Sequence, residues 1–195
     1  MPSKYVTRSF LAGGYYHAFD RGNNKEKIFH DESDYNYFLS LISHYLNPTS
    51  KNQKVNFYND ITILSYCLIP NHFHLMFKQT KERSISLFMQ VIIQRYTTYY
   101  NKKYGHINHV FRAKYGSRLI ENTEDLISVS KYVHKNAEDC GADIIKYKYS
   151  SAQWYIQGHS PYSWLDIKTL PEVLFGYFGV AKENFPKQYE IYLRS

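Results

Sequence analysis

Ile61-Thr62-Ile63-Leu64-Ser65-Tyr66-Cys67-Leu68-Ile69-Pro70-Asn71-His72-Phe73-His74-Leu75-Met76-Phe77-Lys78 decides how this chain folds. Two apolar, β-rich runs flank Ile69-Pro70-Asn71, a tight turn, and predict an antiparallel hairpin of strands 61–68 and 72–78. Side chains alternate across a strand, so His72 and His74 leave from one face while Phe73 and Leu75 leave from the other, toward a core. Two imidazoles side by side on a rigid strand are two legs of a metal site. An isolated H-x-H is equally well read as a satisfied surface pair, so the partners decide.

Outward from the hairpin, Tyr15 to Phe19 reads as a strand, opened by Gly13-Gly14 and closed by Asp20-Arg21-Gly22-Asn23-Asn24, which is rich in turn formers. Asp31 to Leu46 reads as a helix capped by Asp31 or Ser33, with Tyr35, Phe38, Leu39 and Ile42 on one face, ending at Asn47-Pro48-Thr49-Ser50. Val55 to Tyr58 reads as further strand before Asn59-Asp60. Ser84 or Ser86 caps a long helix to about Lys103, and Tyr115 to Ile120 reads as another strand. Asn122 or Thr123 caps a third helix, to about Ala137, with Glu124-Asp125 in its first turn where the helix dipole favours carboxylates. The pattern is β-α-β-β-α-β plus a helix: an α+β, ferredoxin-like antiparallel sheet with helices packed on it. Residues 1–155 form the predicted domain; 156–195 form a C-terminal extension packed on it, helical over Phe175 to Ser195.

The chain has 195 residues, 44% of them hydrophobic, which fits one domain with a substantial core and excludes a disordered chain. No apolar run approaches the roughly 20 residues of a membrane span. Met1-Pro2-Ser3-Lys4-Tyr5 lacks the layout of a secretory signal, and Cys67 and Cys140 show no metal or redox spacing, so a cytoplasmic protein with reduced thiols is expected. The formal charge is +7, with 21 Tyr and 12 Phe. Cationic charge among aromatic rings suits single-stranded nucleic acid, where a groove tracks phosphates and rings stack on unpaired bases. A codon bias toward Asn, Lys, Ile and Tyr gives the same composition.

The third helix carries Ser130-Lys131-Tyr132-Val133-His134-Lys135-Asn136. Tyr132 and Asn136, four residues apart, share one face. Asn136 offers an amide oxygen, and two imidazoles with one such oxygen leave positions open on a divalent ion for phosphate. Tyr132 then sits one turn from a metal ligand, placed to attack a phosphate. In the competing reading Tyr132 and Val133 enter the core and Asn136 caps the helix. His134 is a candidate helper, although helical geometry turns it away from Tyr132. Tyr96, Tyr99, Tyr100 and Tyr104 form either a packing stripe or a stacking surface. Arg112, Lys114 and Arg118 alternate along the expected strand and so share a face as phosphate contacts, with Lys102 and Lys103 near in sequence.

Taken together, Gly14-Tyr15-Tyr16-His17-Ala18-Phe19-Asp20-Arg21-Gly22-Asn23, Ile69-Pro70-Asn71-His72-Phe73-His74-Leu75, Tyr99 to His106, Phe111-Arg112-Ala113-Lys114-Tyr115 and Tyr132-Val133-His134-Lys135-Asn136 resemble the HUH-superfamily single-tyrosine transposases, of the insertion-sequence type and the REP-associated group. The resemblance spans most of residues 13–155. It departs from the family at Ala137, where Asn is usually followed by Pro.

The resemblance implies that His72, His74 and Asn136 hold Mg²⁺ or Mn²⁺ and that Tyr132 attacks single-stranded DNA at hairpin-flanked sites, leaving a 5′-phosphotyrosine and a free 3′-OH. Phenols are weak nucleophiles near neutral pH, their ordinary pKa being about 10, so such a step requires activation. Arg21, Lys102, Lys103, Arg112, Lys114 and Arg118 are the expected DNA contacts. Single-stranded or hairpin DNA is the expected partner, near the nucleoid and away from membranes, and a homodimer and a monomer are both compatible with the chain. A non-catalytic hairpin-binding protein that retains the fold is the alternative, and a metal-dependent phosphodiesterase using water a third. The H-x-E and C-x-x-C elements of a zinc deaminase are absent.

Overall fold

The computed structural model describes residues 10–49, 55–112, 114–179 and 181–195. Residues 1–5, read above for a leader, lie outside them, as do Ser50 of the loop after the first helix and Ala113. The elements are β1 (Tyr15–Arg21), α1 (Glu32–Tyr45), β2 (Ile61–Ile69), β3 (His72–Gln79), α2 (Ser84–Tyr104), β4 (Gly116–Ile120), α3 (Thr123–Lys135), a 3-10 turn (Asn136–Cys140), α4 (Ala152–Gln157), α5 (Thr169–Phe178) and α6 (Phe185–Arg194). One antiparallel sheet runs β2-β3-β1-β4, giving the expected α+β architecture.

The sheet separates two apolar cores. Phe73, Leu75 and Phe77 of β3 face α1 and α2 and pack with Phe38, Ile42, Phe88 and Tyr96. Met76 faces the opposite way with Leu64 and Cys67, under Leu126, Val133, Leu170 and Tyr189. A bulge between Ile63 and Ser65 flips the parity of β2, so that Ile63 and Tyr66 both enter the first core although three residues apart. The last two helices complete the second core through Leu174, Phe185 and Leu193. Among the described residues no helix is long and apolar enough to cross a membrane.

Local chemistry sets the helix ends. Asp31 caps α1, accepting from the Ser33 and Asp34 amides, while the Asp34 carboxylate reaches back to the Asp31 amide to close a capping box. Asn122 caps α3 by accepting from the Asp125 amide. Neither Ser84 nor Ser86 caps α2. Its N-cap is Arg83 in the left-handed region, with no side-chain cap, and Ser84 is buried as the first helical residue. Residues 55–57 form no strand; they lead into the turn before β2. Of the four tyrosines on α2, Tyr96 and Tyr100 are buried and pack in the core, Tyr99 is half-buried and Tyr104 is exposed.

Two glycines position the site. A Cβ on Gly116 would lie 2.4 Å from the Phe19 ring, which crosses β4 there. A Cβ on Gly22 would lie 2.1 Å from the Glu26 carbonyl oxygen, because the chain folds tightly onto itself after β1.

Candidate active site

Strand pairing brings Phe19 opposite His74 and Arg21 opposite His72, so all four project toward α3. The His72 and His74 ring centroids lie 5.0 Å apart. His17, two residue pairs further along, is the diagonal neighbour of His74, and its Nε2 lies 2.8 Å from His74 Nδ1. Both rings are nearly buried, and burial lowers their pKa values, His17 to about 3. Two neutral rings share one proton here. If His74 Nδ1–H donates to His17, the His74 Nε2 lone pair is left free.

His72 has a more demanding environment. Asn71 donates its amide to the Lys25 carbonyl at 3.4 Å, which turns its oxygen to His72 Nδ1 at 2.7 Å. Asn136 donates its amide to the Tyr132 carbonyl at 2.7 Å, which turns its own oxygen to His72 Nε2 at 3.2 Å. Burial lowers the His72 pKa, favouring the neutral ring with a single N–H. With that proton given to Asn71, Nε2 and the Asn136 oxygen face each other as two lone pairs. Such a pair repels unless a cation lies near both. Among the described residues no three His, Cys, Asp or Glu side chains converge as a metal-holding group; the oxygen that faces His72 is that of the Asn136 amide.

Tyr132 does not enter the core. It is 53% exposed and stands edge-on over His74, with centroids 5.3 Å apart, and over His17, at 5.7 Å. The nucleophile candidate and both histidines thus meet within one chain. Tyr132 lines a groove of about 420 Å³ with His17, Phe19, Arg118, Ser128 and Val129. Asn136 does end α3, as the competing reading held, and also faces His72. His134 is remote from this groove. It is fully buried between Ser151 Oγ at 2.7 Å and the Tyr189 hydroxyl at 3.0 Å, and burial lowers its pKa to about 3.

The basic residues divide. Arg21 is on the histidine face, its Nε buried without a hydrogen-bond partner. Arg118 lines the tyrosine groove with its guanidinium on both Asp125 oxygens, each at 2.7 Å. Arg112 and Lys114 do not share its face. The strand begins only at Gly116, so the alternation that would align them never starts, and both line a cleft beneath α2. Lys103 is committed to α1, paired with Asp31 and Asp34 at 2.8 and 2.7 Å. Lys102 is exposed in the last turn of α2. His17 is the residue that sequence reading passed over as a site residue. A histidine at the centre of an apolar strand was the available signal, but its partner depends on the β1–β3 register.

A four-stranded antiparallel sheet that presents an H-x-H pair to a tyrosine on a helix packed across it, here α3, is the architecture of the HUH superfamily. The chain belongs to the family described as IS200-like transposases, whose sequence profile matches residues 11–136. Its fold is similar to that of a REP-associated tyrosine transposase solved in complex with a REP hairpin, at 15% identity and a TM-score of 0.57 over 84% of this chain and 92% of that one. A putative transposase from Deinococcus radiodurans matches at 13% identity and a TM-score of 0.39 over 70% and 97%. Among proteins of curated function none matches.

Proposed function

We propose that this transposase cuts and rejoins single-stranded DNA at hairpin-flanked sites, with Tyr132 as nucleophile and His72, His74 and Asn136 as ligands of Mg²⁺ or Mn²⁺. The observation that carries the reading is the approach of His72 Nε2 and Asn136 Oδ1 to 3.2 Å, one helical turn from the exposed Tyr132. That donor set fits a hard divalent ion. When bound, the ion would neutralise charge on the scissile phosphate.

The Tyr132 oxygen attacks phosphorus and the bond to the 3′ oxygen breaks. The phenol gives up its proton and the departing 3′ oxygen takes one up, so the products are a 5′-phosphotyrosine and a 3′-OH. The ester retains much of the free energy of the cleaved bond, which lets another 3′-OH reverse the step without ATP. By accepting from His74 Nδ1–H, His17 would leave the His74 Nε2 lone pair available to hold such an ion. Arg21 and Arg118 flank the path of the strand. Hairpin DNA as the partner is supported by the fold shared with the REP-associated transposase, which was solved on a hairpin.

Incubating the protein with a DNA hairpin and Mn²⁺ tests the reading. The wild type should form a covalent protein–DNA adduct; Tyr132→Phe should bind the same hairpin and form none. An adduct on the phenylalanine variant would displace Tyr132 as nucleophile. Cleavage by the wild type without any trapped adduct would favour attack by water, and binding without cleavage would favour the non-catalytic hairpin protein.

A further inference from the structure

Beyond Tyr132 the same groove reaches a charged pair. Asp125, Val129, Tyr132 and Asn136 recur at helical spacing and share one face of α3. Val129 is buried, and the other three each meet the sheet. Asn136 stands at His72, Tyr132 over His74 and His17, and Asp125 at Arg118. On the sheet Arg118 pairs with His17, while Phe19 pairs with His74 on one side and Gly116 on the other. Two residues of a strand advance roughly 6.5 Å, so Arg118 lies one such step beyond His74, on the side away from His72. Its guanidinium is held in place. Nη1 and Nη2 each donate to one Asp125 oxygen at 2.7 Å, and Nη1 also donates to the Leu119 carbonyl at 3.3 Å. Arg118 holds the Asp125 carboxyl below its ordinary range, so both members are charged at neutral pH. Burial, and after it the Arg118 charge, lower the pKa of His17, so that charge is felt at the tyrosine's own wall. An ion pair whose arginine is 33% exposed contributes little to stability; what it fixes is where a planar cation stands.

We propose that Arg118, set by Asp125, clamps the DNA phosphate next to the scissile one, on the strand that becomes joined to Tyr132. A guanidinium presents its N–H donors as a planar fork, so it can take a carboxylate on one edge and a phosphate on another. Spacing selects the phosphate. The scissile group has to lie at Tyr132, near the His72 and Asn136 donors, and Arg118 stands one strand step further on, about the reach of one extended nucleotide. Position selects the strand. Tyr132 and Arg118 line the same groove, so the segment held there stays with the tyrosine after the cut, while the 3′ oxygen departs in line, away from the attacking oxygen. Between the two, the Phe19 ring lies across Gly116 and gives the groove an apolar wall for the sugar. Asp125 touches no DNA in this arrangement and is a positioning residue. Without it the long arginine side chain regains its rotamer freedom and the fork loses its fixed edge. The clamp would hold the attached strand in register until a 3′-OH arrives to reverse the step.

The inference rests on the proposed DNA-cutting function, and its test separates the two. Adduct formation by the wild type with Mn²⁺ locates the cut on an unmodified hairpin. Binding is then measured in EDTA with the Tyr132→Phe protein, on hairpins whose unpaired flank carries an uncharged methylphosphonate at each phosphate in turn. Neutralising the phosphate next to the cut on its 3′ side should weaken binding about 10-fold. That penalty should vanish when Arg118→Gln is added, persist in part with Arg118→Lys, which keeps the charge, and shrink with Asp125→Asn. Mn²⁺ affinity should stay at the wild-type value in all three, which shows that they fold. A pair that served only the fold would lower the melting temperature and leave the penalty intact, and that result overturns the clamp. A penalty that Arg118→Gln removes on the 5′ side of the cut overturns the assignment to the tyrosine-joined strand. An Arg118-dependent phosphate on a hairpin that the wild type never cuts removes the proposed function and keeps the phosphate clamp.

Discussion

The Asn136 side chain bridges two jobs: its amide nitrogen donates to the Tyr132 carbonyl at 2.7 Å while its oxygen stands 3.2 Å from His72 Nε2. The first contact fixes which atom takes part in the second. Asn136→Ala should lower Mn²⁺ affinity by about 10-fold or more. Asn136→Asp, which restores an oxygen donor, should recover most of it. Titration followed by the paramagnetic resonance of free Mn²⁺ reads both, and unchanged affinity in the alanine variant would remove Asn136 from the ligand set.

His17 Nε2 stands 2.8 Å from His74 Nδ1. With the proton on His74 Nδ1, His17→Ala removes its acceptor and frees the ring to change tautomer. Mn²⁺ affinity should fall about 10- to 100-fold while hairpin affinity measured in EDTA persists. A variant that binds Mn²⁺ like the wild type would reduce His17 to a packing residue.

Asp20 makes stability depend on pH with an unusual sign. Its carboxyl titrates at about 7 in the fold against 3.8 in the unfolded chain, so the folded protein keeps a proton that the unfolded chain gives up. Stability therefore falls as pH rises across that interval, by up to roughly 4 kcal/mol, and the penalty is complete above it. Asp20→Asn removes this term. Its melting temperature should exceed the wild type's by several degrees near pH 8 and by little near pH 4. Equal shifts at both pH values would contradict the assignment.

His134 belongs to the scaffold. His134→Ala strips partners from Ser151 and Tyr189 and should cost roughly 2–4 kcal/mol, on the order of 10 °C in melting temperature. Adduct yield per folded molecule should stay at the wild-type value. The neutral ring, held at about 3 against 6.5, also makes the fold acid-sensitive. Below pH 6.5 the unfolded chain takes up a proton that the fold refuses until about pH 3, and stability declines through that window. The variant should lose that part of the acid sensitivity in a pH series of thermal melts.

The hairpin, the shared face of His72 and His74, and the Tyr132–Asn136 spacing were legible because strand and helix periods alone determine them. The Asp31 and Asn122 caps were legible for a similar reason, since a short polar side chain meets the first free amides locally. His17 was not, because its contact with His74 is diagonal across two strands and follows from register. The division of Arg112 and Lys114 from Arg118 was hidden in the point at which β4 begins. The start of α2 at a left-handed Arg83 and the bulge in β2 carry no mark in residue type; both follow from how the long-range packing closes.

The last helix has a mechanical consequence. Tyr189 reaches His134 Nδ1 at 3.0 Å and Ser130 Oγ at 3.3 Å, and Lys131 lies over the Tyr192 ring at 4.5 Å. These contacts brace the side of α3 turned away from the groove. A DNA strand tethered to Tyr132 would pull on a helix shouldered from behind, so its tension would spread into α6 instead of peeling α3 from the sheet.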